Sequence, residues 1–139
     1  KTADNINAKK LAQIIHDFAQ IEFIFQYNEK TKKAVQKMHR TGANFSLLFD
    51  ASGGNGVLPD AWHKPIYKNH PMGYSGGLSV DNVMENLNTI NKLVPQDSSI
   101  WIDAEGKLKT KDLFEEEPVF DTEVAKQYVH RANIWQKQH

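Results

Sequence analysis

The 139-residue chain contains no cysteine, which excludes disulfides, thiolate metal sites and a cysteine nucleophile or base of its own. It carries no surplus of either charge. Its 17 basic residues balance 17 acidic ones and leave no electrostatic footprint for nucleic acid or an anionic membrane. No apolar run approaches the roughly 20 residues that a membrane helix needs. The opening KTADNINAKK is polar and shows no signal peptide. Together these absences point to a cytoplasmic protein with no nucleic-acid or membrane partner. The six histidines include no His-x-x-x-His pair. His63 and His70 stand seven residues apart, and His16, His39 and His130 fall on helices, facing solvent, so neither a metal centre nor a cofactor is expected.

What is present is periodic. Ile6, Leu11, Ile14, Ile15 and Phe18 recur at helical spacing, with Asp4 or Asn5 in the capping position. IEFIFQYN reads as a strand, EKTKKAVQKMHR as a helix stopped by Gly42, and NFSLLFD as the next strand. PDAWHKPIYKNH suggests a short helix interrupted by Pro65, and PMGYSGG a strand. SVDNVMENLNTINKLV is a helix with Ser79 as cap, followed by the strand SIWIDAEG. KLKTKDLFEEEP reads as an exposed loop before a closing helix capped by Asp121. The strand ends fall at Gln26, Asp50, Gly76 and Asp103, separated by 24, 26 and 27 residues. That period is the βα unit, and its repetition over residues 1–139 predicts a single α/β domain with four parallel strands.

Alternation assigns the faces. Phe45, Leu47 and Phe49 share one side of their strand, and Ser46, Leu48 and Asp50 the other. In the last strand Ile100 and Ile102 oppose Ser99, Trp101 and Asp103. The bulkier side suits helices. The mixed side ends in an aspartate both times, at the carboxyl edge where α/β folds place their ligands.

Three motifs occupy successive strand ends: LLFDASGGNG, GYSGGLSVDNV and IWIDAEG. In order and spacing they resemble the last three βα units of the phosphoribosylanthranilate isomerase family, an eight-stranded (β/α) barrel. The resemblance rests on Asp50 with Gly53, Gly54 and Gly56, on Gly76, Gly77 and Leu78 with Asn82 and Val83, and on Asp103 with Gly106. It implies the C-terminal half of a TIM barrel, strands five to eight. The missing N-terminal half-barrel, or a second copy in a homo-oligomer, would be the partner. The first residue, Lys1, is not a start methionine and fits a processed chain or a fragment.

The family's activity is an Amadori rearrangement, an aldose–ketose isomerisation of a phosphorylated sugar. Asp50 stands at its general-acid position, and Asp103 is the second catalytic candidate. A small phosphorylated ligand would lie against Gly53, Gly54, Gly56, Gly76, Gly77, Glu105 and Gly106, with Gln26 as a further contact. The family's cysteine base, on its first strand, has no counterpart here. Glu105 replaces a serine-bearing turn and would oppose a phosphate. Asp50 also fits a plainer role, capping its own loop. The alternative reading is therefore a catalytically silent barrel fragment or a small-ligand binding module.

Overall fold

The computed structural model describes residues 7–96, 98–111 and 115–139. Four strands form one parallel sheet in sequence order: β1 (Ile24–Tyr27), β2 (Ser46–Phe49), β3 (Met72–Tyr74) and β4 (Ile100–Ile102). Phe25, Leu47, Met72 and Ile100 lie in one row across it, and Tyr27, Phe49, Tyr74 and Ile102 in another. Both rows face the helices, so the alternation read from the sequence holds. The main core joins Phe45, Leu47, Phe49, Met72 and Tyr74 to Ile15, Val35, Met38 and Ile90. Those last four come from α1 (Ala8–Asp17), α2 (Lys32–His39) and α3 (Val83–Asn91). A second cluster packs α4 (Thr122–Gln138) on α3 through Tyr128, Trp135, Val83 and Leu87.

Several local expectations are corrected. Residues 50–71, between β2 and β3, contain no helix. Pro59, Pro65 and Pro71 interrupt any ladder there. The segment is held instead by side chains. The Tyr74 hydroxyl donates to the His63 carbonyl at 2.9 Å, and the Trp62 indole N–H to Asn86 Oδ1 at 2.8 Å. α1 is capped by Asn7, whose Oδ1 accepts from the Lys10 N–H; Asp4 and Asn5 lie outside the described residues. Ser79 does not cap α3. It opens a turn in which its N–H donates to Asn82 Oδ1 and its carbonyl accepts from the Val83 N–H. The stretch expected to be a loop carries a 3₁₀ turn (Gly106–Leu108) and β5 (Lys109–Thr110), which pairs antiparallel with β6 (Val119–Phe120). Asp121 caps α4 as expected, accepting from the Glu123 and Val124 N–H groups.

Candidate functional site

At the carboxyl ends of β2, β3 and β4 the chain forms a small cleft of about 60 Å³. Asp50, Gly54, Gly56, Gly76, Gly77, Asp103, Glu105 and Gly106 all line it, so eight of the ten residues singled out in the sequence meet at one place. Gly53 and Gln26 are not in the lining but both hold Asp50. The Gly53 N–H donates to the Asp50 carbonyl at 3.3 Å, and the Gln26 amide to Asp50 Oδ2 at 2.7 Å. Among the described residues no cluster of three or more metal-ligating side chains occurs.

Asp50 is buried and its carboxylate is saturated. Oδ1 accepts from the Ser52 N–H (3.1 Å) and hydroxyl (2.7 Å); Oδ2 accepts from the Gly54 N–H (2.6 Å) and from Gln26. The Asn28 amide binds its carbonyl at 3.2 Å. These bonds shape the Ser52–Gly56 loop, in which Gly53, Gly54 and Gly56 all take the positive φ that only glycine adopts freely. To hand a proton to a substrate, Asp50 would have to surrender one of these four bonds.

Asp103 differs. Among the described residues its carboxylate accepts no hydrogen bond, while its backbone N–H pairs with the Tyr74 carbonyl. Water displaced by the surrounding rim pushes its pKa up, and the neighbouring Glu105 and Asp50 carboxylates push it the same way. Of the two aspartates, Asp103 is exposed and Asp50 is buried. Glu105 turns outward to an exposed pair with Lys109 at 3.2 Å, and Lys107 joins the cleft wall. The negative charge that Glu105 would present to an anion is thus shared with the Lys109 ammonium.

The close approach at Gly76 and Gly77 is made by the chain itself. A Cβ on Gly77 would lie 2.5 Å from the Leu58 nitrogen, and one on Gly76 would lie 3.0 Å from the Val57 carbonyl oxygen. The N–H groups of both glycines donate to nothing within the described residues. They border a cleft whose opposite side carries the 3₁₀ turn beginning at Gly106.

The sequence reading missed Asn28, Ser52, Ser75 and Lys107. The first two were legible as polar side chains next to a strand end, where Asx-type and hydroxyl bonds shape loops. No family model matches the chain, and no curated protein or solved structure does.

Proposed function

We propose that this chain is the ligand-carrying half of a (β/α) barrel, similar to the phosphoribosylanthranilate isomerases, that binds a small phosphorylated sugar at the strand carboxyl ends. The observation that carries this reading is the convergence of β2, β3 and β4 on one cleft. There the N–H groups of Gly76 and Gly77 and the Asp103 carboxylate, none of them hydrogen-bonded among the described residues, share the cleft lining with Lys107. The N–H groups and Lys107 suit a phosphate. Asp103 is the proton carrier of the aldose–ketose step, and Asp50 is the post that holds the loop. The cleft is far smaller than the roughly 300 Å³ or more of a small-molecule pocket, so these residues form one wall of a composite site. The 139 residues alone are expected to turn over no phosphoribosylanthranilate.

A second reading, a catalytically silent binding module, is favoured by the four bonds that fix Asp50. Amide NMR with sulfate tests the site itself. Shifts at Gly76, Gly77 and Gly106 support it; shifts confined to the opposite end of the strands, around Gly42, overturn it. Because protonation of Asp103 removes a negative charge from the cleft, sulfate binding should strengthen as pH falls toward that raised pKa. Sulfate keeps its own charge over this range, so the trend reports on the protein. Turnover assays on the completed barrel then separate enzyme from module: loss of activity in Asp103→Asn with Asp50→Asn retaining part of it supports the assignment of roles.

A further inference from the structure

Aromatic side chains with a polar atom are packed along the helix side of the sheet, and one of them has no outlet for its hydrogen. Trp62 gives its indole N–H to Asn86, Tyr74 its hydroxyl to the His63 carbonyl, and Trp135 its N–H to Asn88 Oδ1 at 2.7 Å. The Tyr128 hydroxyl gives its hydrogen to nothing. Tyr128 is 6% exposed, and its oxygen is the one buried side-chain polar atom among the described residues without a hydrogen-bond partner. Burial strips water from a hydroxyl, so tyrosines placed this deeply are ordinarily bonded to another group.

The position of Tyr128 ties it to the cleft. α4 begins beside the 3₁₀ turn that forms one side of the cleft: the N–H of its cap, Asp121, donates to the Leu108 carbonyl at 2.8 Å. Tyr128 follows about 10 Å further along the axis. Side chains on a helix lean toward its N-terminus, so the ring reaches back toward the cleft end of the sheet. Leu78 and Ala104 line the cleft and belong to the same packed cluster as Tyr128. Burial pushes the Tyr128 pKa up and the Asp103 charge pushes it the same way, so that carboxylate lies within electrostatic reach of the hydroxyl.

The two groups answer one another. Tyr128 holds a donor without an acceptor, and Asp103 an acceptor without a donor, among the described residues. β4 ends at Ile102, so Asp103 stands on the rim of the sheet, exposed and free to turn about its side-chain bonds. We propose that Tyr128 is a positioning residue of the cleft, whose hydroxyl donates to the Asp103 carboxylate when that side chain turns from the cleft toward α4. The bond favours the ionised carboxylate. It gives Asp103 two places: one against Tyr128 as an anion, and one in the cleft, where it meets a ligand and takes up a proton.

The positioning role rests on the reading of Asp103 as proton carrier, but the bond does not, and it is tested without a ligand. The carbon-13 signal of the Asp103 carboxylate, assigned by its loss in Asp103→Asn, is followed through a pH titration of the full chain and of Tyr128→Phe. Loss of the donor should make Asp103 a weaker acid by about 3–10-fold. Asp50, Glu105 and Lys107, the other charged groups on the cleft, are the same in both proteins. Equal acidity in the two would overturn the proposal. If Tyr128→Phe does not fold, the unmodified chain decides. Its Tyr128 Cζ signal should move with the Asp103 titration and stop moving in Asp103→Asn, and a signal indifferent to that titration would overturn the proposal as well. Sulfate can fail to shift the Gly76 and Gly77 amides while Tyr128 and Asp103 titrate together, in which case the phosphate reading falls alone.

Discussion

Leu47 and Leu48 are neighbours in β2 with opposite surroundings. Leu47 is fully buried between the sheet and the helices, in contact with the cluster of Val35, Met38 and Met72. Leu48 points to the other face and stays partly exposed beside Gln26 and Gly73. The comparison extends along the whole sheet. One side supplies large side chains at each row; the other alternates Ile24 and Trp101 with Gln26, Ser46 and a glycine. The first side is a packed core, and the second carries a mixture of apolar, polar and glycine positions on which no helix packs among the described residues.

The largest effect should separate the two leucines. Leu47→Ala removes a side chain from a packed site and is expected to cost about 2–5 kcal/mol in urea unfolding. Leu48→Ala should cost less than about 1 kcal/mol, because its side chain already meets water. Equal losses would mean that the inner face is as well packed as the outer one. If the sheet closes into the proposed barrel, closure should raise the cost at Leu48 toward that at Leu47, which makes the pair a gauge of that proposal.

That contrast was legible in the sequence, because a period of two is a strong signal in NFSLLFD and SIWID. The strand ends were legible too: Gln26, Asp50, Gly76 and Asp103 fall within two residues of the observed ends at Tyr27, Phe49, Tyr74 and Ile102. The connection over residues 50–71 was not. Its Trp62, Ile66 and Tyr67 imitate a helical face, and only the tertiary contacts show that they anchor an irregular crossover. A glycine inside a strand signals close approach, and at Gly73 that approach is made by Trp101. Residue types show which residues meet at the cleft but not the division between a hydrogen-bonded Asp50 and an Asp103 carboxylate that accepts no bond among the described residues. That division depends on Gln26, 24 residues away, reaching Asp50 across the sheet.

The next effect tests that division. Asp50→Asn keeps one oxygen but presents an NH2 group to donors that now meet an acceptor. The bond from a backbone N–H, that of Gly54 on Oδ2 or of Ser52 on Oδ1, is lost, while the Ser52 hydroxyl or the Gln26 amide can reorient to accept. A destabilisation of about 1–3 kcal/mol is expected, visible in urea unfolding without any ligand. Asp103→Asn, which breaks no hydrogen bond among the described residues, should change stability by less than about 0.5 kcal/mol. If Asp50→Asn is instead neutral for stability, the loop does not depend on the carboxylate, and the proposed holding role of Asp50 fails.

The smallest effect belongs to the opposite end of the sheet, where ring stacking replaces glycine loops. His39 lies on α2, against Tyr67, with centroids 3.8 Å apart; His70 is buried on Phe45 at 4.0 Å. His39 is thus partly enclosed, not solvated as its helix position suggested. The Phe45 carbonyl, 2.9 Å from His70 Nδ1, can only accept, so Nδ1 carries the proton of the neutral ring. His70 Nε2 is then the acceptor for the His39 Nδ1–H at 3.0 Å. A proton added to His70 makes Nε2 a donor, which the His39 Nδ1–H cannot accept. Burial, and secondarily the neighbouring His39, hold the His70 pKa below its ordinary 6.5, against the opposing pull of the Phe45 carbonyl. A lowered histidine pKa means that the unfolded chain binds more protons between the two values, so stability falls as pH drops below about 6.5. The wild type should therefore lose urea midpoint between about pH 7.5 and 5.5 more steeply than His70→Gln, which keeps a polar side chain but cannot titrate. Parallel slopes for the two proteins would place the pH dependence elsewhere and leave the histidine pair as packing alone.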